Sequence, residues 1–159
     1  PISSGQLWVT TYSGTAYLYD RNQDKVVPDA VSHLKRLGIT AGDKCRVFVD
    51  ADKNLWCVSG RRLTYYRFAE QRKYTMTLSK SPCQVVCRNG RAYSLSLQGE
   101  LFRLDPFSGT SLYISQIPAS QYKLMSMYVD LHGQLWVYGE YVLGVFRLKP
   151  DEDMNGKER

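Results

Sequence analysis

Histidine is nearly absent: His33 and His132 are the only two in 159 residues, and the elements on which they fall give no reason to expect them together. A constellation of nucleophile, base and acid built on imidazole is therefore not in view. Both read as surface residues, His33 on a short helix and His132 in a turn. The sequence also lacks a glycine-rich phosphate loop after a strand, a Gly-x-Ser-x-Gly elbow and a zinc-binding helix motif, so no catalytic residues and no cofactor are expected in this segment. No apolar run approaches the ~18 residues that a membrane-spanning helix needs, so none is expected within the chain. Methionine first occurs at Met76 and residue 1 is Pro1. Processing or trimming of a longer product is expected, with any signal or anchor removed from view.

Cysteine and charge are also thin. Cys45, Cys57, Cys83 and Cys87 fall on expected strands in a domain large enough to do without cross-links, and they read as buried free thiols. Cys83 and Cys87 have a gap compatible with zinc, but no second pair follows at finger spacing, so no metal site is expected. Charged residues make up 23% of the chain and the net charge is +6. The basic residues are scattered, and their densest groups are the pairs Lys35-Arg36, Arg61-Arg62 and Arg72-Lys73. With no nucleic-acid motif beside them, they describe a solvated surface. What is abundant is apolar and aromatic: the chain is 43% hydrophobic and 13% aromatic, including twelve tyrosines. That composition supports a sizeable core and favours strands, on whose pleated surface flat side chains pack.

The aromatics recur. Gly5-Gln6-Leu7-Trp8, Lys53-Asn54-Leu55-Trp56, Gly90-Arg91-Ala92-Tyr93 and Gly133-Gln134-Leu135-Trp136 align, with steps of 48, 37 and 43 residues between the final aromatics. A second segment follows each: Ala16 to Asp20, Thr64 to Phe68, Leu101 to Asp105 and Val145 to Lys149. A β-rich run precedes three of them, at Arg46 to Asp50, Gln84 to Cys87 and Ser126 to Asp130, and a weaker fourth run follows, as at Lys73 to Leu78 and Ser111 to Ile117. Each repeat reads as four short antiparallel strands, A to D. Four-stranded units at a period of roughly forty residues are β-propeller blades. The fold class is all-β, with four partial or whole blades of a larger propeller. The expected blades are 1–43, 44–80, 81–122 and 123–149, followed by a polar tail at 150–159. Pro28 to Gly38 departs from the strand pattern. There Val31, Leu34 and Leu37 share a helical face, with Asp29 placed to cap the start and Gly38 the end, so a short helix is expected between the first two blades. The first blade has strands B to D and the fourth A to C, so the open edges are expected to pair with the rest of the propeller or with another copy.

Trp8, Trp56, Tyr93 and Trp136, with Asp50, Asp130 and Gly133 in the A/B turns, read as scaffold. Aspartate accepts backbone hydrogen bonds in such turns and glycine supplies positive φ. Asp50-Ala51-Asp52-Lys53-Asn54 begins like a calcium loop, but Leu55 stands where glycine is needed and Arg61 where glutamate is needed, so calcium is not expected. Strand alternation puts the B/C turns and D/A linkers at the opposite end. That rim offers Tyr12, Ser13, Arg61, Arg62, Gln98, Glu140 and Tyr141. Of these, Tyr12, Arg61, Arg62, Glu140 and Tyr141 are the candidate ligand contacts, because aromatics beside planar hydrogen-bonding groups suit a sugar or peptide.

The run Asp130-Leu131-His132-Gly133-Gln134-Leu135-Trp136-Val137-Tyr138-Gly139, with Gly5 to Tyr12 and Tyr17-Leu18-Tyr19-Asp20, resembles the two-component regulator propeller repeat. The third copy departs at Ala92-Tyr93 and the second at Lys53, where glycine is usual. The resemblance implies seven-bladed periplasmic propellers in a hybrid histidine kinase anchored in the inner membrane as a dimer. It also implies a non-catalytic sensor of oligosaccharides that signals to the transcription of glycan-use genes. A propeller lyase or lactonase and a protein-interaction scaffold are the alternatives.

Overall fold

In this computed structural model, residues 5–10, 16–27, 30–39, 45–117, 125–139 and 142–146 are described. Short alternating segments joined by tight turns pair with their sequence neighbours, and the result is four antiparallel meanders. The first comprises β1 (Gln6–Thr10), β2 (Ala16–Asp20) and β3 (Lys25–Val27). The second comprises β4 (Arg46–Val49), β5 (Leu55–Ser59), β6 (Arg62–Arg67) and β7 (Arg72–Thr77), and the third β8 (Pro82–Arg88), β9 (Arg91–Ser96), β10 (Glu100–Asp105) and β11 (Thr110–Gln116). The fourth comprises β12 (Met125–Val129), β13 (Leu135–Gly139) and β14 (Val142–Phe146). Strand order follows the chain within every sheet. The first sheet thus holds strands B to D and the fourth A to C.

The sheets stack face to face. Trp8 and Ala16 of the first sheet meet Cys45, Val47, Leu55, Cys57 and Tyr66 of the second. The other face of the second sheet, with Trp56, Val58, Leu63 and Tyr65, packs on Val85, Cys87, Ala92 and Leu104 of the third. Tyr93, Leu95 and Leu101 then pack on Met127, Val129, Leu135 and Val137 of the fourth. Because both faces of an inner sheet are covered, β5 and β9 are buried almost throughout, while β11, at the outer edge, is largely exposed. This is a run of β-propeller blades, with the first strand of each sheet innermost.

One helix, α1 (Ala30–Arg36), lies between the first and second sheets in sequence. It ends in a Schellman motif. The amide of Gly38 donates to the Lys35 carbonyl and that of Ile39 to the Leu34 carbonyl, while Gly38 takes a φ of 70°. Leu34 and Ile39, brought together by the motif, enter the core between the first two sheets. Asp29 lies outside the described residues. His33 corrects the expectation of a helix-surface residue: it is half-buried, with its ring 6.1 Å from that of Trp8. Burial and the neighbouring Arg36 push its imidazole below the usual value. The cysteines are free thiols, with Cys45, Cys57 and Cys87 buried and Cys83 half-buried.

Candidate functional site

The A/B turns of the second and fourth sheets are each built around one carboxylate. In the second sheet Asp50 Oδ1 accepts the Asn54 amide at 2.8 Å, and Oδ2 accepts the Trp56 indole Nε1–H at 2.7 Å. In the fourth, Asp130 Oδ1 accepts the His132 and Gln134 amides at 2.8 and 2.9 Å, and Oδ2 accepts the Trp136 indole at 2.9 Å. The same aspartate therefore closes the turn and fixes the tryptophan, and in the second sheet that tryptophan packs on the next sheet. Burial pushes the Asp50 carboxyl above the usual value, against the opposing effect of its Trp56 and Asn54 bonds. The indole bond and the turn amides hold Asp130 below it. The third sheet replaces both partners at once, with Tyr93 for tryptophan and a two-residue Asn89-Gly90 turn at φ 51° and 73° for the aspartate loop. Asn-Gly is the preferred composition for that hairpin, and it was a signal available in the sequence. Asp20 and Asp105 close C/D turns in the same manner, each accepting two turn amides.

The opposite rim is closed by bonds to its backbone carbonyls. Leu78 N donates to the Arg61 carbonyl at 2.8 Å, Ser81 Oγ to the Gly60 carbonyl at 2.8 Å, and Gln116 Nε2 to the Gln98 carbonyl at 2.6 Å. Arg61, Arg62 and Gln98 are exposed there. Tyr12, Ser13, Glu140 and Tyr141 lie outside the described residues, so Arg61 and Arg62 are the two ligand candidates that the structure places.

Two clefts are formed elsewhere. One, of about 510 Å3, runs along the innermost strands β1, β4, β8 and β12 and is the propeller channel. Its wall is mostly aliphatic and aromatic, and the Arg88 guanidinium lies 5.7 Å from the centre of the Tyr128 ring. The other, of about 500 Å3, opens between the second and third sheets at the A/B end. Asp52, Lys53, Asn54, Arg67, Phe68 and Phe107 are among its lining residues. Phe107 is 54% exposed. Its ring is braced edge-on by Tyr74 at 4.8 Å, with the Arg67 guanidinium 5.4 Å from its centre. Neither cleft includes Arg61 or Arg62.

Beside the second cleft, donor atoms of Asp50, Asp52 and Cys87 lie within 4.8 Å of one another. These atoms have other partners. Asp52 accepts the Asn89 and Gly90 amides at 2.9 and 3.0 Å and so ties one blade's turn to the next. Burial and the two carboxylates push the Cys87 thiol up.

Four meanders stacked face to face around a channel define the class as a β-propeller segment. No protein-family model and no curated protein matches the chain. Among solved structures, it is similar to the extracellular domain of a protein assigned as a hybrid two-component system of B. thetaiotaomicron, with 13% identity and a TM-score of 0.60 over 91% of this chain and 21% of that one. It is similar to an auxiliary nutrient binding protein from Bacteroides thetaiotaomicron (12%, TM-score 0.60, 87% of this chain and 34% of that). It is also similar to a chain of a mitotic checkpoint complex (15%, TM-score 0.56, 83% and 40%). The chain spans well under half the length of each, and at these identities the likeness is one of fold.

Proposed function

We propose that this chain is a blade segment of a non-catalytic, extracytoplasmic sensor propeller belonging to a periplasmic oligosaccharide-sensing hybrid histidine kinase. The observation that carries this reading is the stack of four meanders with scaffold turns, the architecture it shares with the extracellular domain of the two-component protein described above. The nutrient-binding neighbour adds support for a small nutrient as ligand. Arg61 and Arg62, with Tyr12, Glu140 and Tyr141, are the proposed contacts on the B/C rim, where Arg61 and Arg62 are exposed. The mechanism is a shift of equilibrium: ligand favours one arrangement of propellers in a dimer, and the kinase responds to that arrangement.

The outward faces of the end sheets fit the same proposal. Leu7, Val9, Tyr17 and Val26 on the first sheet and Tyr128 and Tyr138 on the fourth are large apolar side chains left exposed. Further blades of the same propeller, or a second copy, would cover them.

The test is calorimetry of the complete propeller against a broad panel of oligosaccharides, with kinase output measured alongside. Heat from one glycan class together with a change in phosphorylation is the expected result. Flat traces across all classes overturn the glycan part. A tight ligand that leaves dimer geometry and kinase output unchanged overturns the signalling part.

A further inference from the structure

We propose that Cys45 and Cys57 form a reversible disulfide that latches β4 to β5 at the junction of the first two sheets. The inference is independent of the sensor reading, since it rests on these two strands alone.

The register of the strands brings the pair together. Val47 stands opposite Cys57 in the β4–β5 ladder, so Cys45, two residues before Val47, falls diagonally across from Cys57 on the same face. That face is turned to the first sheet, and both cysteines belong to the cluster that holds Leu34, Ile39, Val47 and Tyr66. The two thiols are hydrogen-bonded to each other there. The other cysteines are kept apart from them. Cys87 packs on the far face of the second sheet, and Cys83 lies against the cluster between the third and fourth. The Cys87 sulfur is also held by Asp52 at 3.7 Å. Of the four cysteines, Cys45 and Cys57 alone share a layer of the core.

The environment suits thiol–disulfide exchange. The bond from Cys57, with the Val58 amide, holds the Cys45 thiol below the usual value against the opposing effect of burial. The same bond, with burial, pushes Cys57 up. Cys45 is thus the attacking thiolate and Cys57 the resolving thiol. Cys45 is 4% exposed, but it precedes the first ladder pair, Arg46 with Val58, so fraying of the strand end uncovers it without opening the sheet.

The oxidant is a small-molecule disulfide such as oxidised glutathione. The Cys45 sulfur attacks it, breaking its S–S bond and releasing one glutathione thiol. The Cys57 sulfur then attacks the mixed disulfide and releases the second. Each cysteine gives up one proton and one electron, and the oxidant leaves as a pair of thiols. The closed latch ties the start of β4 to the middle of β5 in the cluster that seats Leu34 and Ile39 of the helix cap, so oxidation stiffens the seat of α1.

The test is a redox titration of the full chain in mixtures of reduced and oxidised glutathione, quenched with acid and read by non-reducing peptide mapping. A Cys45–Cys57 cross-link should form in the folded chain and disappear as reduced glutathione rises. Cys83 and Cys87 should remain open to alkylation once the oxidised chain is unfolded. Oxidation should raise the melting temperature by roughly 5 °C and slow amide exchange in β4 and β5. Cys83→Ser should behave as the parent does, and in Cys45→Ala the oxidant should leave the melting temperature unchanged.

The proposal is overturned if no Cys45–Cys57 link forms at any ratio, or if it forms only in urea. Glutathione adducts alone, or links that use Cys83 or Cys87, overturn it equally. So does a melting temperature that falls on oxidation, or one that rises as much in Cys45→Ala as in the parent. Peptide mapping of the parent decides the matter even where the alanine variant does not fold.

Discussion

Asp50 and Asp130 hold the same place in their turns, but the stacking of sheets buries one and leaves the other near water. Replacing Asp50 by alanine strands the indole N–H of Trp56, which is fully buried, and also frees the Asn54 amide. The expected loss is about 2–3 kcal/mol in urea unfolding. Asp130→Ala should cost less, since Trp136 is only half-buried. The two carboxyls should also answer acid in opposite directions. Asp130 sits below the ordinary 3.8, so its contribution is complete above that value and is lost as pH falls through the lowered one. Asp50 is raised, so the folded state takes up its proton first, and the cost of its buried charge fades as pH falls through the raised value toward 3.8. As pH falls from neutral to about 3, the indole N–H resonance of Trp56 should shift in NMR before that of Trp136, because Asp50 takes up its proton at the higher pH.

Turns and caps set the stability of single elements. Gly90 is held at φ 73° with open space around its α-carbon, so Gly90→Ala pays only for backbone strain. A loss of about 1 kcal/mol is expected, measured by thermal unfolding. Lys53 is the converse case, and Lys53→Gly should raise stability by about 0.5 kcal/mol. In α1, Leu34 is 1% exposed and joins the Schellman cap to the core. Leu34→Ala should cost roughly 2–5 kcal/mol and loosen the contact between the first two sheets. That effect would be read as faster amide exchange in β4 and β5.

At the scale of the molecule, the end sheets differ from the inner two because each has one uncovered face. Trp136 lies on such a face while its counterpart Trp56 is enclosed, so acrylamide should quench the Trp136 emission first. The exposed tyrosines and aliphatics on those faces favour association. The chain by itself should show a mass that rises with concentration in light scattering. The double variant Leu7→Lys/Tyr138→Lys should stay at the mass of one chain.

Much of this was legible along the chain. The recurrence of Leu-Trp and its Ala-Tyr variant placed the four repeats, and Leu34, Leu37 and Gly38 marked the helix and its end, because periodicity and turn chemistry act over a few residues; alternation assigned most of the strands, but the last lies at Val142–Phe146 and not at Val145 to Lys149. The partners of those residues were not legible. Asp130 was read as a turn former, yet its second oxygen holds an indole six residues on. Asp52, set aside with the calcium-like loop, reaches the turn of the next blade at Asn89 and Gly90. Phe107 did not stand out in the sequence at all; it became an exposed platform only when the stacking of the second and third sheets brought it beside Tyr74 and Arg67. Local geometry decides which elements form, and it is encoded residue by residue. Which faces meet, and therefore where a cleft opens, is settled by side chains far apart in sequence packing to fill the space between sheets.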